Sequence, residues 1–223
     1  MNGPIDWFPL WLSLRVAAIA TLFVITAGTL LAYLLSHKTF RGRTLLDSLV
    51  TLPLVLPPTV LGYYLLVVVG RASPFGRMYE SIFGQPLVFT WQAAVVAAFV
   101  HSAPIYIKAA RAVLEAVDYR YEWAARSLGA SEWRTFWRIT LPLSGRGLAS
   151  LATLAFARSL GDFGVTIMLA GNIPGRTQTL SVAIYDAVEA GDGRLARILV
   201  LIISAVTLAL LWPASYAARA PER

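Results

Sequence analysis

The chain has 223 residues, 57% hydrophobic and only 14% charged, with a mean hydropathy of +0.65. Soluble domains carry about 25% charged residues, so lipid rather than water is the expected solvent for much of the surface. The lack of cysteine excludes disulfides and thiolate metal sites, and His37 and His101 have no metal-ligand spacing, so no metal or cofactor is expected.

A membrane helix needs about 20 apolar residues, and five stretches qualify: 10–35, 48–70, 88–110, 147–170 and 195–213. Helix is required of each, because a lipid-facing open sheet would leave backbone groups unpaired. The N-terminus, "MNGPIDWFPLW", has no basic region of the signal-peptide kind, so the first span is expected to be retained. The second opens with "LPLVLPP"; Pro53, Pro57 and Pro58 donate no backbone hydrogen bond, which predicts a bend or a break. A sixth membrane segment could lie in 71–87 or 176–192, though both read as too short to span and fit re-entrant or interfacial helices.

The cations sort by side. Lys38, Arg41 and Arg43, then Lys108, Arg111, Arg120, Arg126, Arg134, Arg138 and Arg146, and finally Arg219 and Arg223 fall on one side. Only Arg71, Arg77, Arg176, Arg194 and Arg197 fall on the other. The positive-inside rule puts the N-terminus outside and the C-terminus in the cytoplasm. The net charge of +7 then follows from topology and needs no nucleic acid.

The third span leads into an unusually polar segment. Val113, Val117, Tyr121, Ala124, Ala125 and Leu128 recur at helical spacing, with Glu122 and Arg126 one turn apart on another face. Gly129 suits a left-handed helix end, and Ser131 is placed to cap a second helix. In that helix Trp133, Phe136 and Trp137 form an apolar face, Arg134 and Arg138 form a basic edge, and Leu141-Pro142 closes the segment. From pattern alone, two readings stand level: a helix lying on lipid headgroups, or a knob that fits a groove on a soluble partner.

In the fourth span Arg158 and Asp162 lie one turn apart, an intramembrane pair that is by default a functional-site hypothesis. The bland alternative is a self-neutralising pair that fixes helix packing, and Asp162 is expected to support a packed gate rather than to ligate a substrate. Gly161 and Gly164 would let a neighbouring helix approach closely. Beyond the span, Asn172, Pro174, Gly175, Arg176, Thr177 and Gln178 make a polar, turn-rich extracytoplasmic stretch.

The spacing of Ala124-Ala125, Gly129, Ile139 and Leu141-Pro142 resembles the EAA loop of binding-protein-dependent ABC importer permeases. The family's glutamate position is Trp123 here, with the acid one place earlier at Glu122. Further stretches, "LPLVLPPTVLGYYLL" (52–66), "SPFGRMYESIFGQPLVFTWQAAVVAAFVHSAPI" (73–105) and "FARSLGDFGVTIMLAGNIPGRTQTLSVAIYDAVEAGD" (156–192), are similar to the molybdate permeases. Sulfate permeases share the "SLGDFG…AGNIP" region in general form; Ser181 and Asp162 are mild departures from the molybdate pattern.

The resemblance implies an all-α, type I ABC importer permease in the inner membrane, one transmembrane domain over 1–223, with an EAA coupling loop at 112–142. Glu122, Ala124, Ala125, Gly129, Ala130, Ser131, Trp133, Phe136, Ile139, Leu141 and Pro142 would couple it to a separate ATPase. It implies a homodimer, two ATP-binding subunits, and an extracytoplasmic molybdate-binding protein docking near Asn172, Arg176 and Thr177. Independently, the chain has no G-x-x-x-x-G-K-[ST] phosphate loop, so ATP would be bound by another chain. An intramembrane enzyme would need paired catalytic groups inside the spans, which the sequence lacks. A passive anion channel would have no use for the coupling loop. Within the transporter reading, sulfate and tungstate compete with molybdate.

Overall fold

The computed structural model describes residues 6–219, and every regular element among them is helical. Helix α1, Phe8–His37, is followed by a broken pair, α2 Arg43–Val55 and α3 Pro58–Val69. A short amphipathic α4, Pro74–Phe83, leads to α5, Trp91–Glu115. Then come α6, Tyr119–Ser127, and the long α7, Glu132–Leu160. After a break, α8 (Gly164–Ala170), α9 (Leu180–Glu189) and α10 (Gly193–Arg219) complete the chain.

Among the described residues, four helices are long and apolar enough to cross a membrane: α1, α5, α7 and the Gly193–Trp212 part of α10. The expected second span, 48–70, is the α2–α3 pair, broken at Leu56-Pro57. Pro58 starts α3 at a position where a missing N–H costs nothing. The expected 147–170 span is corrected: α7 stops at Leu160, Gly161–Phe163 are irregular, and α8 restarts at Gly164. Both α4 and α9 have only ten residues, too short to span, as the sequence suggested. Arg71 clasps Glu80 beside α4 (Nε to Oε2 3.1 Å), and this hydrogen bond holds the carboxyl below its ordinary value. Arg223, counted with the basic tail, lies outside the described residues.

Helix α5 is the hub, packing against α1, α2, α7 and α8. Its buried Ala93, Ala94, Ala97, Ala98, Ala103 and Ala110 allow close approach where lipid offers no hydrophobic drive to associate. Within α1 the winding widens to a π turn at Val24–Gly28. A Cβ at Gly28 would lie 3.0 Å from the Tyr106 ring, and the Tyr106 hydroxyl meets Thr29 Oγ1 at 2.7 Å. At about 1.5 Å per residue α1 is roughly 45 Å long, against about 30 Å of hydrocarbon. Helix α1 is therefore longer than the hydrocarbon layer, and its His37 end reaches the polar segment.

That segment departs from its sequence reading in three ways. The helix expected to run from Val113 through Leu128 is interrupted: α5 ends at Glu115, and Asp118 caps α6 by accepting the Arg120 N–H at 2.9 Å. Leu141-Pro142 does not close the second helix, which runs on unbroken into the membrane. A π turn at Phe136–Thr140, in which the Leu141 N–H reaches back to the Phe136 carbonyl, gives the ring of Pro142 room inside a continuous helix. Val113 and Ile139–Pro142 thus belong to the long helices, and only 116–131 stand outside them.

Candidate functional site

Gly129 has φ +84°, the left-handed turn expected of it, and open space around it. The Arg134 N–H donates to Ser131 Oγ at 3.4 Å, the expected cap. Ala130 is half-buried in the turn between them.

The face of α6 proposed as apolar is not buried against this chain. Leu128 is 90% exposed, Tyr121 and Ala124 are exposed as well, and Ala125 is half-buried; off that face, Trp123 is 71% exposed. The buried residue of α6 is instead its acid: Glu122 is only 7% exposed. Its carboxylate accepts from Thr140 Oγ1 of α7 at 2.6 Å and from Arg126 at 3.3 Å, and lies 3.2 Å from His37 Nε2 at the end of α1. His37 is oriented in turn by Ser36 Oγ, 2.6 Å from Nδ1, and by stacking on Tyr33 with ring centroids 4.6 Å apart. Lys38 adds an ion pair with Glu132. A buried carboxylate needs hydrogen-bond partners, and here they come from three helices.

The aromatic trio also divides. Phe136 is 1% exposed, packed on Tyr33 at 4.4 Å, while Trp133 and Trp137 stay exposed with their rings 5.6 Å apart. Exposed Trp123, Leu128, Trp133 and Trp137 leave a large apolar surface on a charged segment, the composition of a docking surface. Ile139 and Leu141 are half-buried, and Pro142 is exposed.

At mid-depth the expected Arg158–Asp162 pair does not form. Asp162 is buried and turned inward, accepting from the Thr166 N–H at 3.1 Å and Thr166 Oγ1 at 2.6 Å, with His101 Nδ1 at 3.9 Å. The carboxylate caps the restarted helix α8, so its position follows from the break at Gly161–Phe163. Arg158, four residues earlier, is exposed and makes no pair with it. Gly164 makes the expected close approach, since a Cβ there would sit 2.6 Å from Pro58 Cβ; Gly161 is exposed, and among the described residues no other helix comes within 4 Å of where its Cβ would lie.

In the polar stretch after α8, Asn172 and Arg176 are exposed, and Asn172 Nδ2 donates to Asp186 at 3.0 Å. Thr177 is not available to a partner. It is fully buried and accepts the Ile173 N–H at 3.2 Å, closing the turn.

Sequence reasoning missed His37, Thr140 and Asp118 in the polar assembly, because pattern shows which face a residue lies on and not what comes back to meet it. It also passed over Arg15 in the first span, whose guanidinium sits 4.0 Å over the Trp91 ring.

Comparison with known proteins bears on these features together. The chain is 45% identical over 208 residues to the molybdenum transport system permease protein ModB of Escherichia coli K12, covering 92% of this chain and 91% of that one. It is 34% identical over 200 residues to the sulfate transport system permease protein CysT of the same strain, covering 90% and 72%. Its fold matches a chain of the MetNI methionine ABC transporter in an inward-facing conformation, with TM-score 0.76, 18% identity and full coverage of both chains. The family model for binding-protein-dependent transport system inner membrane components matches residues 24–221, from the π turn of α1 through the polar knob to α10. The chain therefore belongs to the binding-protein-dependent transport system inner membrane component family.

Proposed function

We propose that this chain is the membrane permease of an ATP-driven importer that moves molybdate into the cytoplasm. As a family member it is a multi-pass inner-membrane transport subunit, with ATP hydrolysis carried by a separate chain. The observation that carries the coupling role is the exposed α6 knob, held by buried Glu122 to both α1 and α7. A headgroup-bound helix would be held by its apolar face in lipid; this one is held by a carboxylate and leaves Trp123 and Leu128 free for a protein groove. Closure of an ATPase against the knob would pull on two spanning helices at once.

Two copies of the chain would enclose the path by two-fold symmetry, each with one ATP-binding subunit. The N-terminus would face outward and the C-terminus the cytoplasm, with an extracytoplasmic binding protein meeting the exposed Asn172 and Arg176. Molybdate is favoured over sulfate because the molybdenum relative is more similar and matches over more of its own length. Tungstate has the same shape and charge as molybdate and is the closer competitor. The test is ATPase activity in liposomes carrying the chain with its ATPase and binding protein, loaded in turn with molybdate, tungstate or sulfate. Stimulation greatest with molybdate supports the reading. Stimulation only by sulfate would reassign the substrate, and anion conduction by this chain alone, without the ATPase, would make it a channel.

A further inference from the structure

Arg158 is the observation that the coupling role leaves unexplained. Ser159 Oγ, its neighbour, donates to Ser102 Oγ of α5 at 3.0 Å, with both residues buried. Ser102 is the twelfth of the 25 residues in α5, about 16 Å from one end of that helix. Arg158 is therefore near the middle of the bilayer, too deep for its side chain to snorkel to either headgroup layer. Yet it is exposed, and it makes no ion pair or hydrogen bond with any described residue. It shares a shallow surface depression with Ile105, Leu151 and Leu154. A guanidinium facing hydrocarbon at that depth costs at least about 2.5 kcal/mol, so this face does not meet lipid.

The backbone gives a second, independent indication. The irregular residues Gly161–Phe163 follow at the same depth, and Gly161 is exposed. Non-helical backbone at membrane depth persists only inside protein or along a water-filled cavity. The break between α2 and α3 sits against this one through the Gly164–Pro58 contact, with Pro57, Pro58 and Thr59 exposed. Two helix interruptions and one unpaired cation thus gather on one uncovered surface at mid-depth.

We infer that this surface lines the translocation path and that Arg158 is the cation the oxyanion meets halfway across. The inference rests on the proposed import of a tetrahedral dianion. Two copies would bring two such cations to the path, enough to offset a dianion, and each is single and flexible enough to release it. The nearby carboxylate does not cancel this charge by direct pairing, because Asp162 is turned toward Thr166.

The test uses the whole complex in proteoliposomes. Since the natural chain has no cysteine, Leu154→Cys, one helical turn before Arg158, provides this chain's only thiol. Labelling of this chain is compared for an anionic sulfonatoethyl and a cationic trimethylammonium-ethyl methanethiosulfonate. The expected result is that Leu154→Cys reacts, and that adding Arg158→Gln lowers the anionic-to-cationic rate ratio by about tenfold. Molybdate uptake should fall at least about tenfold in Arg158→Gln and be largely kept in Arg158→Lys, because a point charge suffices. An unreactive thiol, an unchanged ratio, or wild-type uptake by Arg158→Gln would overturn the inference. So would failure of both Arg158→Gln and Arg158→Lys to assemble, which would make Arg158 a packing residue. If the unsubstituted complex takes up sulfate but not molybdate, the substrate assignment fails while the labelling ratio still decides the role of Arg158.

Discussion

Replacing Glu122 with alanine should undock the α6 knob without unfolding the spans. Glu122 is the buried residue of a nine-residue helix, and a helix that short is not stable alone in water. Its attachment depends on the Thr140 hydroxyl at 2.6 Å and the His37 ring at 3.2 Å, with Arg126 at 3.3 Å adding less because it is more exposed. A hydrogen bond to a charged group contributes about 1.5–3 kcal/mol, and the exposed Arg126 pair at most about 1 kcal/mol. Removing the carboxylate and stranding its partners should therefore cost about 3–5 kcal/mol. At 1.4 kcal/mol per factor of ten, the docked population of α6 falls by roughly two to three and a half orders of magnitude. Amide exchange across 119–127 should accelerate accordingly, while α5 and the membrane part of α7 keep their protection. Binding-protein-stimulated ATPase should drop by at least about tenfold, and Glu122→Gln, which keeps the shape and one acceptor, should lose less. Unchanged exchange in α6 together with full stimulation in Glu122→Ala would refute the reasoning.

Trp123→Ala and Leu128→Ala remove side chains that touch little in this chain, so thermal stability should move by no more than about 0.5 kcal/mol. ATPase-subunit affinity measured in detergent should weaken at least about tenfold if these are interface anchors. Gly129→Asp forces a side chain into φ +84°, a strain of about 1–2 kcal/mol, and adds a charge beside the knob. The variant should insert normally but fail to co-purify with the ATPase, and normal uptake would count against the coupling role. Gly164→Val places atoms where even a Cβ would be 2.6 Å from Pro58. It should destabilise by about 1–3 kcal/mol, read as a lowered melting temperature of the detergent-solubilised chain.

Much of the architecture is legible in the sequence because the signals are local. Long apolar runs give the spans, Pro57-Pro58 gives the break in 48–70, and Gly129 and Ser131 give a turn and a cap. The errors are equally instructive. Periodicity assigned Tyr121 and Leu128 to a face and the face was read as one apolar surface, but a partner-facing stripe has the same period as a core-facing one; exposure distinguishes them only in three dimensions. Arg158 and Asp162 have the i, i+4 spacing of a helical ion pair, yet the helix ends at Leu160 and the spacing loses its meaning. Gly161 was the available warning. The i, i+4 spacing pairs Glu122 with Arg126 on one face of α6, but it carries no sign of the end of α1, 85 residues away in sequence, that makes burial of Glu122 favourable.

These long-range contacts explain how the knob and the mid-membrane surface could act together. Helix α7 carries Phe136 and Thr140 at one end and Arg158 at the other without interruption, a rod of about 27 Å between Thr140 and Arg158 if wound regularly. Glu122 grips α7 through Thr140, and grips α1 through His37 at the end of a second long helix. Movement of the knob is therefore delivered to two rods at once. On α7 the rod ends where the backbone breaks at Gly161, and that break is seated on the break at Pro58 through Gly164. Packed helices are stiff and loops are not, so displacement would concentrate at these paired interruptions, beside the unpaired cation. A continuous helix through 147–170 would instead have carried the motion to the outer surface. On this reasoning, the interruption that defeated the sequence reading of the fourth span is what directs force from the ATPase to the middle of the membrane.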